Sequence, residues 1–252
     1  MKHLKIIFYF IVSFCICSCK SNIKEQKDKL YSRHLQRQID LTIITTKLPA
    51  QKEDMNLLLF NDSKYLDKTR AKKIIDSLYK NKQIEPLILV GFNGLKKEYG
   101  LEEIDGAEAK QYKKFNEFVI KELFPFIKKK ASIRKFKSVS ICGFGASALS
   151  AFNIAWNNDE KIETLGMFDT QFELSPILND SVVMATIDKL RKRPNLKIWM
   201  SANSLDSTSK KFKSIMEATK SITECTLVLN DEEVEITSKN FTSFLIWAYQ
   251  KK

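Results

Sequence analysis

Residues 136–152 read FKSVSICGFGASALSAF, and this stretch decides the fold. A stretch from Phe136 to Cys142 with Phe136, Val139, Ile141 and Cys142 apolar meets two glycines, Gly143 and Gly145, and continues through mainly small residues from Ala146 to Trp156. The pattern predicts a strand, a tight turn and a helix. Upstream, Met55 to Phe60 (MNLLLF) and Pro86 to Phe92 (PLILVGF) are continuous apolar runs, the mark of strands covered on both faces. Leu35 to Thr46 reads as a further strand. Lys68 to Lys80 carries Ile74, Ile75 and Leu78 on one helical side. Ala107 to Lys130 is a long amphipathic helix with Tyr112, Phe115, Val119, Leu123 and Phe126 at three- and four-residue steps, bent by Pro125. Downstream, strands are expected over Ile162 to Phe168, Leu196 to Ala202 and Cys225 to Leu229, and helices over Ser181 to Lys192, Ser207 to Lys220 and Ser238 to Tyr249. Alternating β and α units with doubly buried strands predict one α/β domain, its central sheet mainly parallel with helices on both faces. Ligand sites in such sheets form at the carboxyl ends of the strands, which directs attention to the turn after Cys142.

The chain has 252 residues, 44% hydrophobic and 29% charged, enough for one good-sized core. Its 7 glycines are few, since average usage of about 7% would give roughly eighteen. No glycine-rich phosphate loop of the GxGxxG or Walker type occurs. The 42 basic and 30 acidic residues give a formal charge of +12. The lysines are mixed with Glu and Asp from end to end, with small clusters at Lys128 to Lys130 and Arg191 to Arg193, and no basic face interleaved with aromatics stands out. Nucleic acid is therefore not an expected partner. The five cysteines lie at 15, 17, 19, 142 and 225 without the Cys/His clustering that zinc needs, so neither a metal nor another cofactor is expected.

Lys2 and Lys5 precede an apolar run from Ile6 to Ile16, the layout of a secretory signal too short for a stable bilayer span. The run ends Ile16-Cys17-Ser18-Cys19 and resembles a bacterial lipobox, with Cys19 as the residue to be lipidated. The expected organisation is a lipoprotein signal over 1–18, a Lys-rich tether over 19–31 and a folded domain over 32–252. That places the protein at the bacterial cell envelope, held to the membrane by its lipid and facing the periplasm. Attraction of the lysines to anionic phospholipid is compatible with this location. Cys142 and Cys225 would then meet an oxidising compartment in which pairing is allowed, although their spacing does not argue for it.

A strand, a glycine turn and a helix of small residues form the setting of the nucleophile elbow G-x-S-x-G of α/β-hydrolases. The region from about Ser32 to Tyr249 resembles the Putative esterase family of that superfamily, which includes esterase D-like and enterochelin esterase-like enzymes. The resemblance runs in order through Ser32 to Arg37 with Ile39 to Thr42, Leu57 to Asp62, Val90-Gly91-Phe92 with Glu98-Tyr99, Lys114-Phe115 through Glu122 to Ile127, and Ala151 to Asn157. It implies an α/β-hydrolase-type fold and a serine-dependent ester hydrolysis. Laid on the family pattern, Gly143 is the first elbow glycine, Gly145 occupies the place of the nucleophilic serine, and Ser147 and Ala148 stand where two glycines are usual. Glycine adopts the strained elbow backbone without penalty, yet it has no side chain to acylate. Ser147, two residues on, would project roughly 200° around the helix axis and is read as a packing residue.

The resemblance places the triad acid at Asp206, which also suits a helix N-cap. It places the histidine in the loop that here reads Asn230-Asp231-Glu232-Glu233-Val234-Glu235. The only histidines are His3 and His34, and His34, at the entrance to the first strand, is expected on the surface, remote from the site. A catalytically degenerate esterase homologue with a binding or accessory role is therefore expected. Its cleft near Asp62, Ser63, Ala146 and Ser147 would hold a small anionic ligand at the helix N-terminus or an envelope protein. Two alternatives accompany it. One is an active ester hydrolase using Asp62 or Asp206 with Glu232, Glu233 or Glu235 as a carboxylate pair. The other is a protein–protein interaction module with the acidic loop 231–235 as its contact.

Overall fold

Four strands bury every residue they contain: β3 (Asn56–Asn61), β4 (Leu87–Phe92), β5 (Val139–Phe144) and β6 (Thr164–Phe168). Such strands need cover on both sides, and the computed structural model, which describes residues 22–93, 113–170, 195–203, 207–218, 222–230 and 236–251, supplies it. The sheet has eight strands in the order β1-β2-β4-β3-β5-β6-β7-β8, where β1 is Ile23–Ser32, β2 Arg37–Thr46, β7 Leu196–Asn203 and β8 Ile222–Asn230. From β4 to β8 all neighbours pair in parallel, while β2 runs antiparallel to β4 and β1 antiparallel to β2. This is a single α/β domain with a mostly parallel sheet.

The helices divide between the two faces. On one face, the helix through Phe115 and Phe118, its continuation α3 (Phe124–Ala131), α4 (Ala146–Asn157) and α5 (Ser207–Ala218) pack Val119, Leu123, Leu149, Ile154 and Phe212 against Leu57, Leu59, Ile141 and Met167. On the other, α2 (Ala71–Lys80) and α6 (Ile236–Tyr249) pack Ile75, Leu78, Phe241, Phe244 and Leu245 against Leu58, Phe60, Phe144 and Phe168. The helix expected over Lys68 to Lys80 is broken. A single turn, α1 (Tyr65–Lys68), is followed by Arg70 in the left-handed region at φ 51°, and only then does α2 begin. Pro125 acts on its helix as a widening rather than a simple bend: Phe118–Leu123 is a π-helical segment that ends just before it. Proline has no N–H and crowds the carbonyl four residues back, and a wider turn relieves both faults. The helix expected over Ser181 to Lys192 lies outside the described residues.

Two expectations need correction. Residues 23–31, read as the end of a tether, belong to β1, which pairs with β2 along its whole length from Ile23 opposite Thr46 to Ser32 opposite Arg37. His34 lies in the β1–β2 turn. Because β2 is antiparallel to β4, that turn projects from the same end of the sheet as the carboxyl ends of the parallel strands, so His34 is not remote in the sense the sequence suggested. It is half-buried, with Nδ1 3.2 Å from Glu117 Oε2. Cys142 and Cys225, whose pairing the sequence left open, are free thiols. They sit on β5 and β8, three strand spacings or roughly 14 Å apart, and face opposite sides of the sheet, whereas a disulfide needs Cα atoms within about 7 Å. Burial raises both thiols above the usual cysteine range, Cys225 to about 11. Thermal unfolding should give the same Tm with and without a thiol reductant; a fall in Tm on reduction would reveal a bridge that this topology forbids.

Candidate active site at the β5–α4 turn

The turn is built by a close approach. A Cβ added to Gly143 would lie 2.4 Å from the Ser147 carbonyl oxygen, so any side chain there would drive the first turn of α4 off the end of β5. Gly145 caps α4 at φ 57° and ψ −126°, a backbone conformation in which a non-glycine residue is strained. Its N–H donates to the Phe168 carbonyl at 2.8 Å, tying the turn to the exit of β6. Beneath the turn the Phe144 ring stacks on Phe168 at 4.3 Å and on Tyr65 at 5.0 Å. The turn therefore has the strand-to-helix geometry of a nucleophile elbow, with no side chain at its apex.

Ser147 does not fill the gap. It is 2% exposed, and its hydroxyl accepts the Phe144 N–H at 2.9 Å and lies 2.7 Å from the Phe144 carbonyl and 3.0 Å from that of Asn61, either of which can take its proton. Ser147, read from the sequence as a packing residue near the expected cleft, is a clasp between β5, β3 and α4. Asn61 completes the clasp by donating from Nδ2 to the Ser147 carbonyl and the Ser150 hydroxyl. Ala146 is half-buried and opens α4.

Asp62 and Ser63 follow β3, whose Asn61 is in register with Gly143, so the fold brings all four predicted cleft residues to neighbouring strand exits. The Asp62 carboxylate is 4% exposed, accepts the Lys64 N–H and lies 2.8 Å from Lys64 Nζ, which holds the Lys64 ammonium above the usual lysine range. An ion-paired carboxylate already accepting hydrogen bonds is a poor general base. Ser63 is half-buried and its hydroxyl pairs with Asn93. Asp206, Glu232, Glu233, Glu235 and Cys19 lie outside the described residues. His34 is separated from the elbow strand by three strand spacings, roughly 14 Å, and its ring is engaged with Glu117.

The sequence reading missed Asp169. It follows β6 directly, next to the Phe168 whose carbonyl holds Gly145, and its N–H donates to the Ser201 carbonyl of β7 at 2.9 Å. It sits in the left-handed region at φ 46°, which Asp tolerates better than most residues. Its side chain reaches solvent, yet protein on the other side removes enough water to raise its carboxyl above the usual aspartate range. The available signal was position, an acid at a strand exit beside the elbow, but only the strand order reveals that β6 is the neighbour of β5.

A carboxyl whose folded-state pKa is raised destabilises the fold as pH rises, because the folded chain holds its proton more tightly than the unfolded chain does. Asp169→Asn should therefore raise Tm at pH 7, and the gain should shrink as the pH falls through the raised folded-state value and vanish below the ordinary aspartate value of 3.8. A gain of the same size at every pH would assign the effect to the left-handed backbone instead.

The model of the family described as Putative esterase matches residues 32–232. Among solved structures, the chain is similar to a ferulic acid esterase at 14% identity, covering 90% of this chain and 98% of that one with a TM-score of 0.67. It is also similar to an IroE-like serine hydrolase from Shewanella oneidensis at 16% identity, 90% and 80% coverage and a TM-score of 0.69. The enterobactin esterase of Shigella flexneri, solved in the presence of enterobactin, matches at 15% identity and a TM-score of 0.69, and there the chain spans 58% of the neighbour's length against 88% of its own. These identities establish a shared fold. No curated protein matches by sequence.

Proposed function

Because this chain belongs to the Putative esterase family, we propose that it is a catalytically degenerate esterase homologue, lipid-anchored at the bacterial cell envelope, with a binding or accessory role. The observation that carries the reading is Gly145 at the apex of an intact elbow. Acyl transfer through a covalent serine needs an oxygen nucleophile and a base beside it. The apex has no side chain, the neighbouring Ser147 hydroxyl is enclosed in backbone hydrogen bonds, and no histidine follows His34 in the sequence. In serine hydrolases the loss of either group alone costs several orders of magnitude. On this reading the helix N-terminus at the strand exits would hold a small ligand or an envelope partner without turning it over.

Asp169 favours a second reading, an ester hydrolase that works through a carboxyl group. A carboxyl beside the elbow that partial burial holds above the usual aspartate range keeps a proton more readily than a solvated one, as acid–base chemistry requires. The two readings separate in one assay. With activated aryl and acyl esters, the chain is expected to show no turnover above a heat-denatured control. Gly145→Ser should not create turnover, and by forcing a side chain into the strained apex it should cost about 1–3 kcal/mol. That corresponds to a fall of about 2–4 °C in Tm per kcal/mol for a domain of this size. Turnover in the parent chain that Asp169→Asn removes would replace the degenerate reading with the carboxyl one.

The lipid anchor has its own test. Cells fed labelled palmitate should yield a labelled protein in the membrane fraction, and Cys19→Ser should lose the label. Labelling that persists in Cys19→Ser would overturn the assignment of that cysteine.

A further inference from the structure

At the end of the sheet opposite the elbow, the chain holds a groove of about 340 Å³ between α3 and the β1–β2 hairpin. Ile88, on its floor, is in register with Leu57, which pairs with Val139 at the amino end of β5, so the groove and the β5–α4 turn lie at opposite ends of the sheet. The groove exists because of what β1 presents to this face. Lys24, Gln26 and Asp28 point toward α3 where an interior strand would present apolar side chains, and the helix therefore does not close over them. Lys130, on the last turn of α3, instead reaches across to pair with Asp28.

The lining has two halves. Ile43, Ile88, Ile127 and Ala131 form an apolar trough, and Leu48, 48% exposed, forms its lip. Lys24 and Gln26 stand along the opposite wall, and among the described residues no acidic side chain lines the groove. Lys130 has its charge matched by Asp28, which leaves Lys24 to set the sign of the field. The volume falls in the range typical of small-molecule sites, about 300–1,000 Å³. An apolar trough under a cationic rim matches a molecule with a hydrocarbon chain and an anionic head.

We propose that this groove binds a single-chain anionic amphiphile of the fatty-acid type, its chain lying on Ile43, Ile88 and Ile127 and its carboxylate meeting Lys24. The inference does not depend on the reading of the elbow, which stands at the other end of the sheet. Neutral and cationic amphiphiles share the hydrocarbon contacts but lose the ionic one, and a cationic head additionally faces repulsion from Lys24.

The test uses the purified full chain titrated calorimetrically with dodecanoate and, separately, with dodecyltrimethylammonium, both below their micellar range. Saturable one-to-one binding of dodecanoate is expected, at least tenfold tighter than the cationic amphiphile. Lys24→Glu changes a solvent-exposed residue and should abolish that preference. Ala131→Trp, checked for an unchanged circular dichroism spectrum, should fill the trough and abolish saturable binding of both. Dodecanoate binding that is absent, that survives Ala131→Trp, or that Lys24→Glu leaves unaltered would overturn the proposal. If Ala131→Trp fails to fold, the loss of head-group preference in Lys24→Glu remains the deciding measurement.

Discussion

The contact on which the site depends is the approach of α4 to the end of β5. At Gly143 the Ser147 carbonyl lies where a Cβ would have to stand, which leaves room for glycine alone. The buried hydroxyl of Ser147 then bonds the backbone of Phe144 and faces the carbonyl of Asn61, and Asn61 reaches back to α4 through its amide. Leaving such a buried polar group unpaired costs about 1–3 kcal/mol, a large share of the 5–15 kcal/mol by which a domain is stable. The clasp thus holds the strand-to-helix turn by packing and hydrogen bonds that make no use of a side chain at residue 145.

That independence explains how the apex can change while the architecture around it stays. In an elbow carrying serine, the scaffold must support a side chain in a backbone region that disfavours it. Glycine relieves this strain, of order 1–3 kcal/mol, and the surrounding aromatic layer of Tyr65, Phe144, Phe168, Trp199 and Phe244 continues undisturbed beneath the turn. Asp169, nearby, also sits at positive φ, with its carboxyl partly removed from water.

The buried strands were legible because burial on both faces leaves a continuous apolar run, as in Leu57 to Phe60 and Leu87 to Val90. β1 was not, and the reason is its position. An edge strand covered by little on either side has no need of an apolar pattern, and charges along it discourage pairing with another chain, so Ile23–Ser32 has the composition of a solvated linker. Gly145 was legible as the apex of a strand-to-helix turn because glycine spacing is local. The roles of Ser147 and Asp169 were not, since one depends on the carbonyl of a residue 86 positions away and the other on β6 lying beside β5. His34 was misplaced for a related reason: its distance from the site in sequence concealed an antiparallel strand that returns the hairpin turn to the same end of the sheet.

The two ends of the sheet consequently bear different chemistry for one topological reason. Parallel strands gather their carboxyl ends, with Asp62, Gly145 and Asp169 on three adjacent exits, whereas the added antiparallel hairpin extends the sheet with a polar edge that α3 cannot seal. A compact family fold needs only the first of these ends to place a nucleophile. Substitutions at the first end do not touch the second, because Lys24, Ile43 and Ala131 take their positions from β1, β2 and α3 alone. Ligand binding at the hairpin groove is therefore separable, by substitution, from whatever the elbow retains.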